Sequence, residues 1–520
     1  MWRRRRRRVV VLAGVALVML AVAVPLGRAA TDRYYLPRVL LWMDADVGDH
    51  ERFPSRAVGA GPSPFEYPVA DGGTSSDARL QTVTLERDGQ LEERPLVDVL
   101  TSTGTTAFLV IHGDHLVSER YFDGYDREST QTSFSVAKSF VSALVGIAIE
   151  AGHIGGVDDP ITTYLPELLD RDPRFGRITI RHLLTMSSGI RYDEGGLPWD
   201  ADDTKTYYMP DLRALALACE IESEPGQRFE YNNYNPLLLG LILERATGMS
   251  VSAYLAEKVW QPLGMGADGS WSLDSTASGF EKMESGINGR AIDFAKFGSL
   301  YLHGGEWGGR QVVPQAWVEE STRADVSTDP ARGYQYFWWV GEAGHYSARG
   351  NHGQYIFVAP EKDLVIVRFG TRYGHASRVW MDVFEQVTAR FEAPSGDGLV
   401  RAEFSSDARG EATGLAPAPA RQAVLPRLPS PSRRGHAARP ESRPHRRRTP
   451  CVQGEVRPPA MTPPPGRPSC PSFCIRVPGR VEPVLHPPDA RRAHSARGGW
   501  PGKSAGRWPM ATRPGPAARS

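Results

Sequence analysis

Hydrophobic and polar positions divide the chain into stretches of different character. Val9 to Val24 carry no charge and follow Arg3 to Arg8. A positive flank before an apolar run predicts a signal peptide or an uncleaved membrane anchor in residues 1–30. The positive-inside rule then puts the rest of the chain outside the cytoplasm, membrane-anchored or secreted. Residues 31–95 show little period and many turn residues, as in Gly59-Ala60-Gly61-Pro62, and read as a wrapping segment. The periodic pattern of a folded domain occupies residues 96–393. Phe108 to Ile111 and Leu116 to Tyr121 are strand-like runs joined at Gly113-Asp114, and glycine in first place suits a type II′ hairpin turn. The segment from Thr132 to Phe140 runs into Val141, Leu144, Val145, Ile147 and Ile149, apolar on most sides, which predicts a buried helix. Helical patterns continue through Ile180 to Met186 and Pro236 to Thr247. Strand patterns return at Tyr334 to Val340, Gln354 to Ala359 and Leu364 to Phe369, and Ala376 to Phe391 reads as a last helix. Strands at both ends with helices between predict an α+β fold. Its antiparallel sheet is built from both ends of the body and flanked by helices, with a mostly helical lobe inserted.

Residues 394–520 differ in kind. They hold Phe404 and Phe473 but no tyrosine, and no sustained helix or strand period. Such a Pro/Arg-rich segment buries too little apolar surface to offset its ordering entropy, so disorder is expected, with a basic arm as the functional alternative.

Charge sharpens this division. The net charge of +1 conceals 22 basic and 8 acidic residues from Pro394 onward, against 39 basic and 52 acidic in residues 1–393. An acidic body argues against nucleic acid as a partner, because phosphate binding needs clustered Lys and Arg. Cys219 is the body's one cysteine, so its core is expected to hold without disulfides. The tail's Cys470 and Cys474 have no histidine partner nearby, and neither metal nor cofactor is expected.

The candidate chemistry begins at Ser135-Val-Ala-Lys138. A serine hydroxyl is a poor nucleophile until a base takes its proton. On a helix, residues three apart share a face, and the helix start favours developing negative charge. A lysine buried there loses hydration, its pKa falls, and it can act as a base near neutrality. Lys138 is the only one of the seven lysines with a serine three positions before it. The bland reading is an ordinary helix start with a solvated lysine, which fits poorly beside so apolar a helix. The second element is Phe229-Glu-Tyr231-Asn-Asn233: a tyrosine hydroxyl can shuttle a proton, and Asn233 can orient a substrate amide. A helix start capped by asparagine is the alternative. No His-Glu-x-x-His occurs. Asp193-Glu194 through Asp203 reads as a solvated acidic loop, or as an attractor of amine-bearing substrates.

Taken together these pieces carry a resemblance. Ser135-Val-Ala-Lys138, His182-Leu-Leu-Thr-Met-Ser-Ser-Gly189, Pro225-Gly226 with Tyr231-Asn-Asn233, and Pro262-Leu-Gly-Met265 occur in this order. Over residues 95–391 the chain resembles the class C β-lactamase-related serine hydrolases of the β-lactamase/transpeptidase-like fold. Glu284-Ser-Gly-Ile-Asn-Gly-Arg290 and Ala295 to Leu302 bring it nearest to the 6-aminohexanoate-dimer hydrolase-like members. The resemblance implies a serine hydrolase that cleaves a small amide or ester through an acyl-enzyme on Ser135, with Lys138 and Tyr231 moving its protons. A penicillin-binding or β-lactamase activity, or an inactive membrane-tethered binding protein of the same fold, are the alternatives. The family's third motif, Lys or His then Ser or Thr then Gly, is replaced here by Asn351-His352-Gly353-Gln354. The backbone N–H of Gln354 is expected to join that of Ser135 in an oxyanion hole, with His352 and Gly353 beside the substrate.

Overall fold

A computed structural model of the chain describes residues 26–393 except 28, 71–77, 88, 196, 198, 324–332 and 342. The apolar run at the N-terminus and the Pro/Arg-rich tail therefore lie outside the described residues. All described residues belong to the unit Met1–Gly414.

The apolar runs at the two ends of the body pair with each other. A seven-stranded antiparallel sheet runs in the order Tyr334–Gln335, Trp338–Val340, Tyr346–Gly350, Gln354–Ala359, Leu364–Gly370, Thr105–His112, His115–Tyr121. The join between the two ends is the ladder from Leu364↔His112 to Gly370↔Thr105. Alternate residues serve opposite faces. Leu109, Ile111, Ile356, Val365 and Val367 pack with Phe140, Phe294 and Phe297 of the helices Ala137–Glu150 and Ala291–Leu302. Phe108, Val110, Phe357 and Ile366 pack with Trp380, Phe384 and Val387 of the helix Ser377–Thr388. Burial on both faces explains why these strands read as continuous apolar runs rather than as alternating ones.

The hairpin turn differs from the expected type. Gly113 and Asp114 have φ of 55° and 59°. Two successive left-handed residues make a type I′ turn, which matches strand twist and suits aspartate as well as glycine. The stretch Tyr334 to Val340 is two short strands rather than one, because Tyr336 and Phe337 turn the chain with positive φ.

A second sheet was not apparent from the pattern. Its order is Ser55–Val58, Gly269–Ser272, Ile287–Arg290, Thr130–Thr132. It matters for function because Thr130–Thr132 delivers the chain directly to Ser135. The helical lobe lies between, and its helix Tyr234–Thr247 is buried from Tyr234 through Leu243.

Residues 31–95 contain the helix Tyr35–Trp42, the strand Ser55–Val58 and the hairpin Thr82–Arg87 with Gln90–Pro95. Residues 43–53 cross the edge of the body: Tyr208 donates to Met43 O at 3.1 Å, the Thr132 N–H to Val47 O at 3.0 Å, and Tyr207 Oη to Asp49 Oδ2 at 2.5 Å. Among the described residues no helix is long and apolar enough to cross a membrane.

Candidate active site

Ser135 stands between a strand and a helix. After Thr130–Thr132 the chain makes a single 3-10 turn, Phe134–Val136, and enters the helix Ala137–Glu150. Phe134 has φ of 49°, a costly conformation for a bulky residue. Its ring is pinned 6.4 Å from that of Tyr207 and 5.2 Å from that of His352. This tight turn leaves Ser135 half-buried while its neighbours Phe134 and Val136 are fully buried.

Lys138 lies one turn on. Its Nζ is 2.8 Å from Ser135 Oγ and donates to Glu284 O at 3.0 Å. The side chain is 1% exposed, and desolvation lowers its pKa from 10.5 to about 7, opposed by the Glu284 carboxylate. Tyr231 closes the group. Its hydroxyl is close enough to Ser135 for that side chain to oppose the rise of its pKa, and Lys138 Nζ sits 4.9 Å from its ring centroid. Burial pushes the Tyr231 pKa up, so the phenol stays protonated through the neutral range. Its ring lies 6.0 Å from Trp339 and 6.1 Å from Tyr334. Ser135, Lys138 and Tyr231 are thus brought together in one cluster.

The other expected residues are placed differently. The Asn233 amide donates to Tyr192 Oη at 2.9 Å and to Thr206 Oγ1 at 3.2 Å, within the helical lobe. His352 has φ of 58° in the turn Asn351–Gly353, and its Nε2 is 2.7 Å from Ala45 O, so the ring is tied to the crossing segment. The Gln354 N–H closes that turn by donating to Asn351 O. It is already paired and is not free for an oxyanion. The Gln354 side chain is structural too: its amide exchanges hydrogen bonds with Gly370 O at 2.6 Å and Gly370 N at 3.1 Å.

Gly350 packs so closely that a Cβ on it would stand 3.2 Å from Ser135 N and overlap Ser133 O. Only glycine allows this approach, and it brings the Asn351 turn against Ser135. Among the described residues no backbone hydrogen bond outside the helices and strands engages the N–H of Ser135 or of Asn351. The turn is braced from behind by Arg368, which is fully buried. Its guanidinium donates to Gly353 O at 2.6 Å, His352 O at 3.3 Å, Thr103 O at 3.2 Å, Arg372 O at 3.1 Å and Thr105 Oγ1 at 3.0 Å. Every acceptor is neutral, and burial lowers the Arg368 pKa to about 9. A Cβ at Gly353 would collide with this guanidinium.

Glu284 is the residue that sequence reasoning missed, although it stands in the Glu284-Ser-Gly-Ile-Asn-Gly-Arg290 segment that carries part of the resemblance. Nothing in that spacing reveals that its carbonyl holds Lys138. The acidic loop also reaches the site: Glu194 contributes to the rise of the Tyr231 pKa, and its own pKa is raised by burial and then by Asp203 and Glu230. Among the described residues no group of His, Cys, Asp and Glu is arranged to hold a metal ion. Cys219 is buried and free, its thiol pushed up to about 12 by burial.

Known proteins share this arrangement of sequence and fold. The 6-aminohexanoate-dimer hydrolase of Paenarthrobacter ureafaciens is 29% identical over 311 residues, spanning 54% of this chain and 76% of that protein. Esterase EstB of Burkholderia gladioli is 32% identical over 229 residues, spanning 40% of this chain and 54% of the esterase. The solved structure of a Bacillus anthracis protein assigned as a 6-aminohexanoate-dimer hydrolase superposes with a TM-score of 0.58 at 24% identity, over 69% of this chain and 95% of that one. Residues 96–383 match the Beta-lactamase family, a span that runs from the helix Leu96–Ser102, just before the strand Thr105–His112, into the last helix. The chain belongs to that family.

Proposed function

We propose that this protein hydrolyses a small amide or ester through an acyl-enzyme on Ser135. The observation that carries the reading is the hydrogen bond between Lys138 Nζ and Ser135 Oγ, with Lys138 stripped of water and set against the Tyr231 ring. Neutral Lys138 takes the Ser135 proton as Oγ attacks the substrate carbonyl. The oxyanion faces the Ser135 and Asn351 N–H groups. Tyr231, held protonated by burial, passes a proton to the leaving amine or alcohol and regains one through Lys138. Water then attacks the ester by the same route in reverse and frees Ser135.

The surroundings favour a neutral or cationic substrate over an anionic one. The third motif offers no cation with an adjacent hydroxyl for a β-lactam carboxylate, and His352 is engaged with Ala45. Glu194, Asp203 and Glu230 place negative charge on the Tyr231 side. The relative named for a 6-aminohexanoate dimer and the one named as an esterase support the same substrate class.

The surface beyond the site supports an extracytoplasmic, membrane-side location. In and just after the helix Tyr35–Trp42, Leu36, Leu40 and Met43 are 52%, 66% and 73% exposed. Leu36 and Leu40, four residues apart, form a short apolar stripe on one helix face, and Met43 follows where a positive φ ends the helix, all just downstream of the N-terminal apolar run. We propose that this stripe rests on a lipid bilayer.

These readings have direct tests. On one preparation, kcat/KM for a short-chain p-nitrophenyl ester and for a linear amide dimer should exceed that for a cephalosporin. A missing charge-assisted hydrogen bond alone corresponds to about tenfold to a hundredfold. A cephalosporin that wins contradicts the substrate reading. The protonation of Lys138 is tested by stability. With Lys138 depressed to about 7 in the native state, unfolding takes up a proton between there and its ordinary 10.5. The unfolded state then binds more protons, so stability rises with pH across that window. Wild type should gain on Lys138→Met as pH rises from about 7 to 10, and a pH-independent difference contradicts a neutral lysine. For the bilayer stripe, the full chain is placed in liposomes carrying nitroxide lipids. A fluorophore at Leu40→Cys should be quenched more than one at Glu92→Cys, and equal quenching refutes the seat.

A further inference from the structure

Behind Lys138 lies a second lysine that the reaction does not use. The turn Met283–Ser285 faces Lys138 with the Glu284 carbonyl, and the same residue sends its carboxylate to Lys282 Nζ at 3.0 Å. Ser285 Oγ donates to that carboxylate at 2.7 Å. Both members of the ion pair are closed off, at 1% and 2% exposure, and Glu284 Oε2 is buried without a partner. Lys282 is caged by the rings of Tyr207 at 3.9 Å and Phe53 at 4.5 Å, and it donates to Tyr207 O. The backbone of the turn is pinned as well, since the Gly286 N–H and Trp271 Nε1 both donate to Lys282 O, at 2.8 and 3.0 Å.

A buried ion pair is weak evidence for stability, because desolvation of both charges offsets their attraction. Its place suggests another use. We propose that Glu284 and Lys282 are a pair of positioning residues that set the protonation of Lys138, a role that rests on Lys138 serving as the base. The Glu284 carbonyl fixes where the Lys138 amine sits. The Glu284 carboxylate favours the ammonium that forms when Lys138 takes the Ser135 proton. The Lys282 ammonium cancels part of that field, so that Lys138 is not held permanently protonated.

The groups around the three charges are few. Lys138 is faced by Ser135, Tyr231 and Glu284. Tyr207, besides caging Lys282, feels the Glu284 charge. Lys282 is further influenced by Asp49, which lowers the cost of its charge, and by Arg38, which raises it. Asp49 and Phe53 belong to the segment that crosses from the N-terminal side, so that segment shares in the control. Glu281, the residue immediately before Lys282, is occupied by Arg56 and Ser252.

The two charges act on Lys138 with opposite sign, and this separates the role from mere support of the fold. Glu284→Gln keeps the carbonyl and much of the shape but removes the negative charge, so the ammonium of Lys138 loses a partner. Lys282→Met removes the positive charge and leaves the carboxylate acting on Lys138 alone. The measurement is the rate of Ser135 labelling by a fluorophosphonate against pH, on the full chain, with melting temperature recorded for each variant. The acid limb should move to lower pH in Glu284→Gln and to higher pH in Lys282→Met, by roughly half to one unit each. An acid limb unmoved in Glu284→Gln overturns the proposal. A downward shift in Lys282→Met shows that Glu284 itself takes up a proton, and overturns the part given to Lys282. If Glu284→Gln does not fold, the direction of the shift in Lys282→Met decides alone. Wild type that is not labelled at Ser135 refutes instead the acyl-enzyme reading on which the pair depends.

Discussion

The interaction on which the structure turns is the burial of one amine beside one hydroxyl. Lys138 has given up nearly all its water and holds in return Ser135 Oγ and a single backbone carbonyl. A solvated lysine stays protonated until pH 10 or so and cannot take a proton near neutrality. Desolvation removes that obstacle and the helix start supplies the direction. The sequence places Ser135 and Lys138 one turn apart, but the low exposure comes from elsewhere: the Tyr231 ring on one side and the Glu284 turn on the other. The lowered pKa of the lysine is a property of the packing.

Around that centre the fold assembles segments far apart in the chain. Ser135 and Lys138 follow the small sheet, Tyr231 precedes a buried helix of the lobe, and Asn351 belongs to a tight turn on the large sheet. Each approach is fixed by a close contact rather than by a long-range field. Gly350 lets one backbone lie against Ser135, and Arg368 anchors the turn from behind with five hydrogen bonds to neutral oxygens. A buried guanidinium with no carboxylate carries a desolvation cost. It is tolerated here because every N–H finds an acceptor and the Trp380 ring lies 4.1 Å from Cζ. The segment before the family's span adds another wall, tying His352 through Ala45 and Lys282 through Phe53.

Much of this was legible without coordinates, and the reasons are physical. Leu364–Gly370 and Gln354–Ala359 could be read because strands buried on both faces need continuous apolar residues. Ser135 and Lys138 could be paired because helical spacing alone brings them together. The strand Tyr346–Gly350 was not seen, since Ser347 and Arg349 break its apolar run. The small sheet was not seen because its strands are three or four residues long and pair across great separations, as Ser55 does with Ser272. Gln354 was misjudged for a subtler reason. Whether an N–H is free depends on the turn before it, and that turn depends on a left-handed His352 that spacing does not reveal. Glu284 holds Lys138 through its carbonyl, which every residue possesses, so the spacing gave no signal of that contact.

In the proposed reaction the acyl carbon of the substrate becomes bonded to Ser135 Oγ during turnover. The measurement that tests it most directly is to mix the protein with a short-chain p-nitrophenyl ester, quench in acid within the first turnover, and take the intact mass followed by peptide mapping. The account predicts a single added acyl group on the peptide containing Ser135, and none in Ser135→Ala. An acyl group on another residue, or one that persists in Ser135→Ala, would contradict it.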